Sequence, residues 1–289
     1  MTPDDDLPPL REVLSAYGIS PRRSLGQNFI FDLNLTRRIA REARISGCTV
    51  YEVGPGPGGL TRALLELGAT RVIVVERDRR AIPALEQIAA AKPGQLEIIE
   101  ADALAIPERK LLADLGARLP LPVVANLPFN AGTALFIKWA SEEWPPWWSS
   151  LTLMFQKEVA ERICATRGDA AYGRLAVLTQ WRSTPRILFN VSRQVFIPPP
   201  DVTAAVLRVE PLPAARYPAE LADLEKVTAA AFGQRRKMLR SSLKTLTAES
   251  DRLLEAAEII PTGRAEELTV EQFCALARAY RNLVARKAV

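Results

Sequence analysis

The sequence predicts an α/β fold: a seven-stranded, mostly parallel sheet with helices on both faces, then a small all-α C-terminal domain. Three observations carry this. Five short apolar runs are each followed by a helical segment, and that alternation builds a parallel sheet covered on both sides. Two further runs, 186–191 and 202–209, succeed each other around Pro198-Pro-Pro200 and predict an antiparallel hairpin at one edge. Beyond the linker Glu210-Pro-Leu-Pro213, the chain has helical periodicity and little strand character. The expected division is an N-terminal arm (1–24), an α/β domain (25–210) and a helical domain (214–289).

The arm carries Pro3, Pro8, Pro9 and Pro21, so a loose chain with one short helix at 10–17 is expected. Asp32 can cap a helix whose apolar face is Leu35, Ile39 and Ala43. Thr49-Val-Tyr-Glu-Val53 reads as the first strand, Gly54-Pro-Gly-Pro-Gly-Gly59 as a tight turn, and 60–67 as a helix. Arg71-Val-Ile-Val-Val-Glu76 is the second strand; a helix at 79–91 follows, with Pro83 tolerated near its first turn. Leu96-Glu-Ile-Ile-Glu-Ala-Asp102 is the third strand, and Leu121-Pro-Val-Val-Ala-Asn126 the fourth, which leads to a helix at 133–140. Adjacent prolines make Trp144-Pro-Pro-Trp-Trp148 a loop. The fifth strand, 151–155, precedes helices at 157–165 and 172–181. In the last domain, 221–232, 235–247, 252–257 and 270–284 read as helices.

Composition narrows the chemistry. The 289 residues are 48% hydrophobic and 25% charged, as in ordinary globular proteins. No apolar run approaches the ~18 residues of a membrane span. Met1-Thr-Pro-Asp-Asp-Asp6 is acidic, unlike a secretory signal or an Arg-rich transit peptide. Cys48, Cys164 and Cys274 are scattered and odd in number, so neither a disulfide framework nor a metal site is expected, and a cytoplasmic setting is. The chain has no histidine, which excludes His triads, His proton shuttles and His-ligated zinc. Chemistry here must run on positioning and a reactive cofactor. The net charge of +5 hints at a polyanionic partner.

Gly54, Gly56 and Gly59 satisfy G-x-G-x-x-G between a strand and a helix, the grammar of a nucleotide-type cofactor site. A nicotinamide dinucleotide fits that motif alone. Two features weaken it. Pro57 removes an N–H where a pyrophosphate needs donors. A second acid, Asp102, ends the third strand, and Asn126 ends the fourth. Strand tips on one edge of a parallel sheet share one crevice, so Glu76, Asp102 and Asn126 are expected in a single site. S-adenosylmethionine (SAM) has one ribose diol, an adenine amine, a carboxylate and no phosphate, and suits that set.

Asn126-Leu-Pro-Phe129 supplies the chemistry. An adenine N6 amine is a poor nucleophile because its lone pair is delocalised into the ring. Two acceptors, the Asn126 side-chain oxygen and the Leu127 carbonyl, can hold its N–H groups and turn the lone pair outward without a strong base. Phe129 can stack on the base and Pro128 fix the turn, with rate gained from alignment.

Leu25-Gly-Gln-Asn-Phe29, Glu52-Val-Gly-Pro-Gly56, Val75-Glu76, Glu100-Ala-Asp102, Asn126-Leu-Pro-Phe129, Gln156-Lys-Glu-Val159, Tyr172-Gly-Arg-Leu175 and Phe196-Ile-Pro-Pro-Pro200 occur in order over most of the chain. In these segments it resembles the KsgA (RsmA) family of small-subunit ribosomal RNA adenine dimethyltransferases. The resemblance implies a class I SAM-dependent methyltransferase fold, Rossmann-like, with a small helical C-terminal domain. It implies SAM as cofactor, S-adenosylhomocysteine as product, and no metal. The implied substrate is a pair of adjacent adenosines near the 3′ end of 16S rRNA in the 30S subunit, each dimethylated at N6 by a cytoplasmic monomer that also checks subunit biogenesis. By position, Asn28 and Ile30 would contact SAM from the arm, Gly54 would lie under its methionine part, Glu76 on the ribose and Asp102 on the adenine. Gln27, Gly56, Arg77 and Ala103 would complete the cofactor set, and Asn126 would stand between cofactor and target. Phe196 would face Phe129 across the base, which matches a base taken out of its stack. Two positions depart from the family: Phe129 replaces the usual Tyr, and Asp201 the common Lys, which removes a positive charge near the RNA path.

RNA contact is expected from Arg235, Arg236, Lys237, Arg240 and Lys244. On one helix, Arg236, Arg240 and Lys244 form a stripe at i, i+4 and i+8, with Phe232, Leu239 and Leu243 turned inward. Arg22 and Arg23, with Arg37, Arg38 and Arg41, offer a second patch. The tryptophans at 139, 144, 147 and 148 are read as packing. Alternative readings are a large-subunit adenine methyltransferase of the antibiotic-resistance type, a ribosome-assembly or transcription factor on the same fold, and a nicotinamide-dependent dehydrogenase.

Overall fold

In the computed structural model, which describes residues 7–22 and 26–287, the sheet has seven strands in the order β4-β3-β2-β5-β6-β9-β7. They are β2 (Thr49–Val53), β3 (Arg71–Glu76), β4 (Leu96–Glu100), β5 (Leu121–Asn126), β6 (Trp148–Gln156), β7 (Ser183–Val191) and β9 (Ala204–Pro211). The β2–β6 pairings are parallel, and β9 runs antiparallel to β6. Central strands β2, β3, β5 and β9 are buried almost throughout, whereas the edge strand β4 is half-buried. Continuous Val/Ile runs in β3 and β5 are what strands buried on both faces require. The two late strands are neighbours at one edge of the sheet, as expected, with β7 outermost; β9 also pairs antiparallel with β6, which joins them to the parallel strands.

Helices follow the strands as read: α3 (Gly59–Glu66), α4 (Ile82–Ala91), α5 (Glu108–Asp114), α6 (Gly132–Ala140) and α7 (Lys157–Cys164). Helix α5, which follows the third apolar run, is the one to which the sequence assigns no bounds. Asp32 caps α2 (Leu33–Ala43) by accepting from the Asn34 and Leu35 N–H groups. Three features correct the reading of the arm. Helix α1 (Leu10–Ala16) buries Leu10 and Val13, Ile19 is buried, and the Arg62 Nη1 donates to the Pro8 carbonyl at 2.7 Å. From residue 7 on, then, the described part of the arm is packed rather than loose. A two-stranded sheet also ties β1 (Phe29–Ile30) to β8 (Phe196–Ile197), with Ile30 opposite Phe196.

The chain divides into two compact units. One holds the described residues to Ala160 with Arg186–Pro211; the other holds Glu161–Pro185 and the residues from Leu212 on. The 161–185 segment, assigned from sequence to the α/β domain, therefore groups with the C-terminal helices. Its helix α8 (Arg174–Arg182) contributes Ala176, Val177 and Trp181 to their core, where they join Leu224, Val227, Leu253 and Phe273. The other helices of that unit are α9 (Leu221–Gly233), α10 (Leu239–Ser242), α11 (Ser250–Ala256) and α12 (Val270–Lys287). The expected 235–247 helix is broken. The chain turns at Gln234–Lys237, and the Leu239 and Arg240 N–H groups donate to the Gly263 and Pro261 carbonyls. Among the described residues, no helix is long and apolar enough to cross a membrane.

Candidate active site

Register brings the strand tips together. Val53 lies opposite Val75, so the residue after β2, Gly54, is level with Glu76. Tyr51 lies opposite Val123, so three residues further on Gly54 is also level with Asn126. Gly54 thus sits between the acid and the amide. Its φ of +68° and that of Gly56, +54°, belong to the left-handed region that favours glycine. The turn is closely covered: a Cβ on Gly56 would meet the Phe29 ring at 2.9 Å, and one on Gly54 would meet Pro128 at 3.4 Å.

A single cleft, with about 1000 Å³ of empty space including its mouth, is lined by every proposed cofactor contact: Gln27, Asn28, Ile30, Gly54, Gly56, Glu76, Arg77, Asp102, Ala103 and Asn126. Leu127 and Phe129 line it too. The Glu76 carboxylate is buried and accepts from the Gly56 N–H at 3.0 Å and the Asp78 N–H at 2.7 Å. Burial pushes its pKa up, partly offset by those two bonds. Asp102 lies two residues past the end of β4, half-exposed, and accepts from the Leu104 N–H at 3.0 Å. Arg77 stands 3.5 Å from it. The Asn126 Nδ2 donates to the Asn28 carbonyl at 3.2 Å, which fixes the amide and leaves Oδ1 as an acceptor.

Gln27 reaches Asp78 rather than open space: its Nε2 donates to the Asp78 Oδ2 at 2.9 Å, and its Oε1 accepts from the Arg22 N–H. Burial opposes the Asp78 charge, but bonds from Arg80 and Gln27 outweigh it and hold the carboxyl below its usual range. These contacts pin the arm to the strand tips.

Phe196 is the exception. It is fully buried, does not line the cleft, and meets Phe129 edge-on with centroids 6.3 Å apart and planes at 64°. The expected face-to-face slot for a base is not open between them.

Sequence reasoning missed Glu52. Its carboxyl is buried in the cleft wall, accepts from the Thr61 hydroxyl at 2.7 Å, and is pushed up to about 8 by burial. An acid inside an otherwise apolar strand was the available signal.

The basic residues fare unevenly. Arg236, Lys237, Arg240 and Lys244 are exposed, but the break after α9 removes the single-helix stripe. Arg235 is a tie within its unit: it pairs with Glu266 at 2.9 Å and donates to the Ala170 carbonyl. Arg22 is placed by its backbone bond to Gln27, and Arg23 lies outside the described residues. Arg37 pairs with Glu66, and Arg38 covers the Phe189 ring. Trp139, Trp147 and Trp148 are buried, as read.

The sheet order, the glycine turn and the acid and amide tips together define a class I methyltransferase. A dimethyladenosine transferase from Plasmodium falciparum matches the fold with a TM-score of 0.73 at 24% identity, over 88% of this chain and 98% of that one. The 23S rRNA methyltransferase ErmE matches with 0.63 at 24% identity, over 88% of this chain and all of its own. A family model described as Ribosomal RNA adenine dimethylase matches residues 18–282. A Ribosomal RNA small subunit methyltransferase A from Azorhizobium caulinodans is 60% identical over 282 residues, 97% of this chain and 95% of its own. Its namesake from Ruegeria sp. is 56% identical over 281 residues, 96% and 99% respectively. The chain belongs to the ribosomal RNA adenine dimethylase family.

Proposed function

We propose that the protein transfers methyl groups from SAM to N6 of two adjacent adenosines near the 3′ end of 16S rRNA, acting as a cytoplasmic monomer on 30S particles. The observation that carries the cofactor reading is the charge of the cleft. Glu76 and Asp102 stand at its strand tips against one guanidinium, Arg77, which already faces Asp102; the third carboxyl of the lining, Glu52, keeps its proton at neutral pH. That set repels a pyrophosphate and suits a cofactor with a ribose diol and cationic sulfonium and ammonium groups. Glu76 would hold the ribose, Asp102 and Ala103 the adenine end, and the Gly54–Gly56 turn the methionine part.

When bound, SAM supplies an electrophilic methyl group. The chain supplies alignment. The Asn126 Oδ1 and the Leu127 carbonyl accept the N6 protons, which directs the nitrogen lone pair away from the ring. No side chain need take a full proton before the new C–N bond forms; the extra proton then leaves to water. Rate therefore comes from orientation, with the Asn126 amide already fixed by the Asn28 carbonyl. Phe129 gives the base a face to stack on.

Labelled SAM incubated with undermethylated 30S particles tests this. Label should map to two adjacent adenosines near the 3′ end of 16S rRNA. Label in the large subunit, or none, contradicts the assignment.

A further inference from the structure

Helix α6 touches both ends of the cleft. Its first residue, Gly132, follows the tetrapeptide closely: a Cβ there would meet the Leu127 Cβ at 3.2 Å and the Phe155 ring at 3.3 Å. Further along the same helix, the Lys138 Nζ donates to the Ala103 carbonyl at 2.9 Å, to the Ile106 carbonyl, and to Glu108 at 2.8 Å. An ammonium has three donors, so these acceptors saturate it. Glu108 is held in turn: its carboxyl is buried and also accepts from the Trp139 Nε1 at 2.7 Å. A purely structural ion pair would need only Glu108. Here two of the three Lys138 bonds go to the segment that walls the cleft, where Ala103 and Leu104 lie.

We propose that Lys138 is a positioning residue for cofactor binding: it clamps the 103–106 segment to α6 and so fixes the adenine-end wall of the cleft. This deepens the SAM reading and rests on it. The clamp makes cofactor affinity depend on a side chain that does not line the cleft.

Lys138→Met tests the clamp, but alone it strands the Glu108 charge in the interior and can unfold the chain. The double variant Lys138→Met with Glu108→Gln removes that charge and keeps an acceptor for Trp139. Glu108→Gln alone keeps Lys138 on the two carbonyls. Calorimetric titration with SAM should show about tenfold weaker binding for the double variant, as expected for lost charge-assisted bonds. The single Glu108→Gln variant should stay within about threefold of wild type. At saturating SAM, kcat and the KM for RNA should be nearly unchanged in both. Amide hydrogen exchange should quicken at 103–106 in the double variant while α6 stays protected. Unchanged affinity and exchange in the double variant would overturn the proposal. So would an equal loss in Glu108→Gln alone, or a fall in kcat with SAM affinity intact. If wild type itself binds no SAM, the functional reading fails, and exchange at 103–106 still decides whether the clamp exists.

Discussion

On the cofactor side of the cleft, the polar side chains are already tied. Glu76 is held by the Gly56 and Asp78 N–H groups, Glu52 by Thr61, Gln27 by Asp78, and Asn126 by the Asn28 carbonyl. On the target side, Phe129 and Phe196 touch edge-on, and Ile197 and Val202 beyond them are 43% and 42% exposed. One half is preorganised; the other is closed on itself. A base stacked between the two rings requires them to part. Binding SAM should therefore cost little rearrangement, and binding RNA should include the opening of this aromatic contact.

The sharpest way to break that contrast is at Glu76. Glu76→Ala removes a buried carboxylate and frees two N–H groups, so SAM affinity should fall roughly 30- to 100-fold by calorimetry. A loss below threefold would mean that this side is not built around the acid. Phe129→Ala should lower kcat/KM for RNA by about tenfold, the scale of one base–aromatic stack, with SAM affinity and melting temperature kept. Phe196→Ala should instead lower the melting temperature, because a fully buried ring is lost from the core. Equal melting points for the two variants would contradict the asymmetry. Asp102→Asn should weaken SAM only about threefold, since a half-exposed carboxylate is screened by water.

A smaller effect concerns pH. The folded chain keeps a proton on Glu52 up to about 8, whereas the unfolded chain releases it near the ordinary carboxyl value of about 4.3. Between those limits the unfolded state binds fewer protons, so this group's contribution to stability falls as pH rises. Glu52→Gln should therefore gain on wild type in melting temperature from about pH 5 to pH 8. A constant difference across that range would exclude the buried protonated carboxyl.

The cofactor half was legible because its signals are local. A strand period, a glycine turn and an acid at a strand end are each read within a few residues, and parallel register does the rest. What escaped is non-local or too short. The β1–β8 pairing joins two-residue segments about 170 positions apart, around 29 and 196, and no period can show in two residues. Phe196, a stacking ring by its sequence position, lies opposite Ile30 in that pairing and is fully buried in the core. In the C-terminal unit, helical spacing suggested one helix over 235–247. Backbone donors at 239 and 240 found partners in the 261–263 loop instead, a competition that periodicity does not register. The grouping of 161–185 with the last helices was hidden likewise, since Trp181 and Val177 look equally apolar whichever core receives them.

Asn126→Ala tests the central claim most directly, by SAM titration together with single-turnover transfer to undermethylated 30S particles. SAM affinity should stay within about twofold of wild type while transfer slows by roughly a hundredfold or more, the scale of losing one preorganised transition-state contact. Transfer at the wild-type rate once SAM is saturating would show that the amide only binds the cofactor and that the amine is aligned by something else.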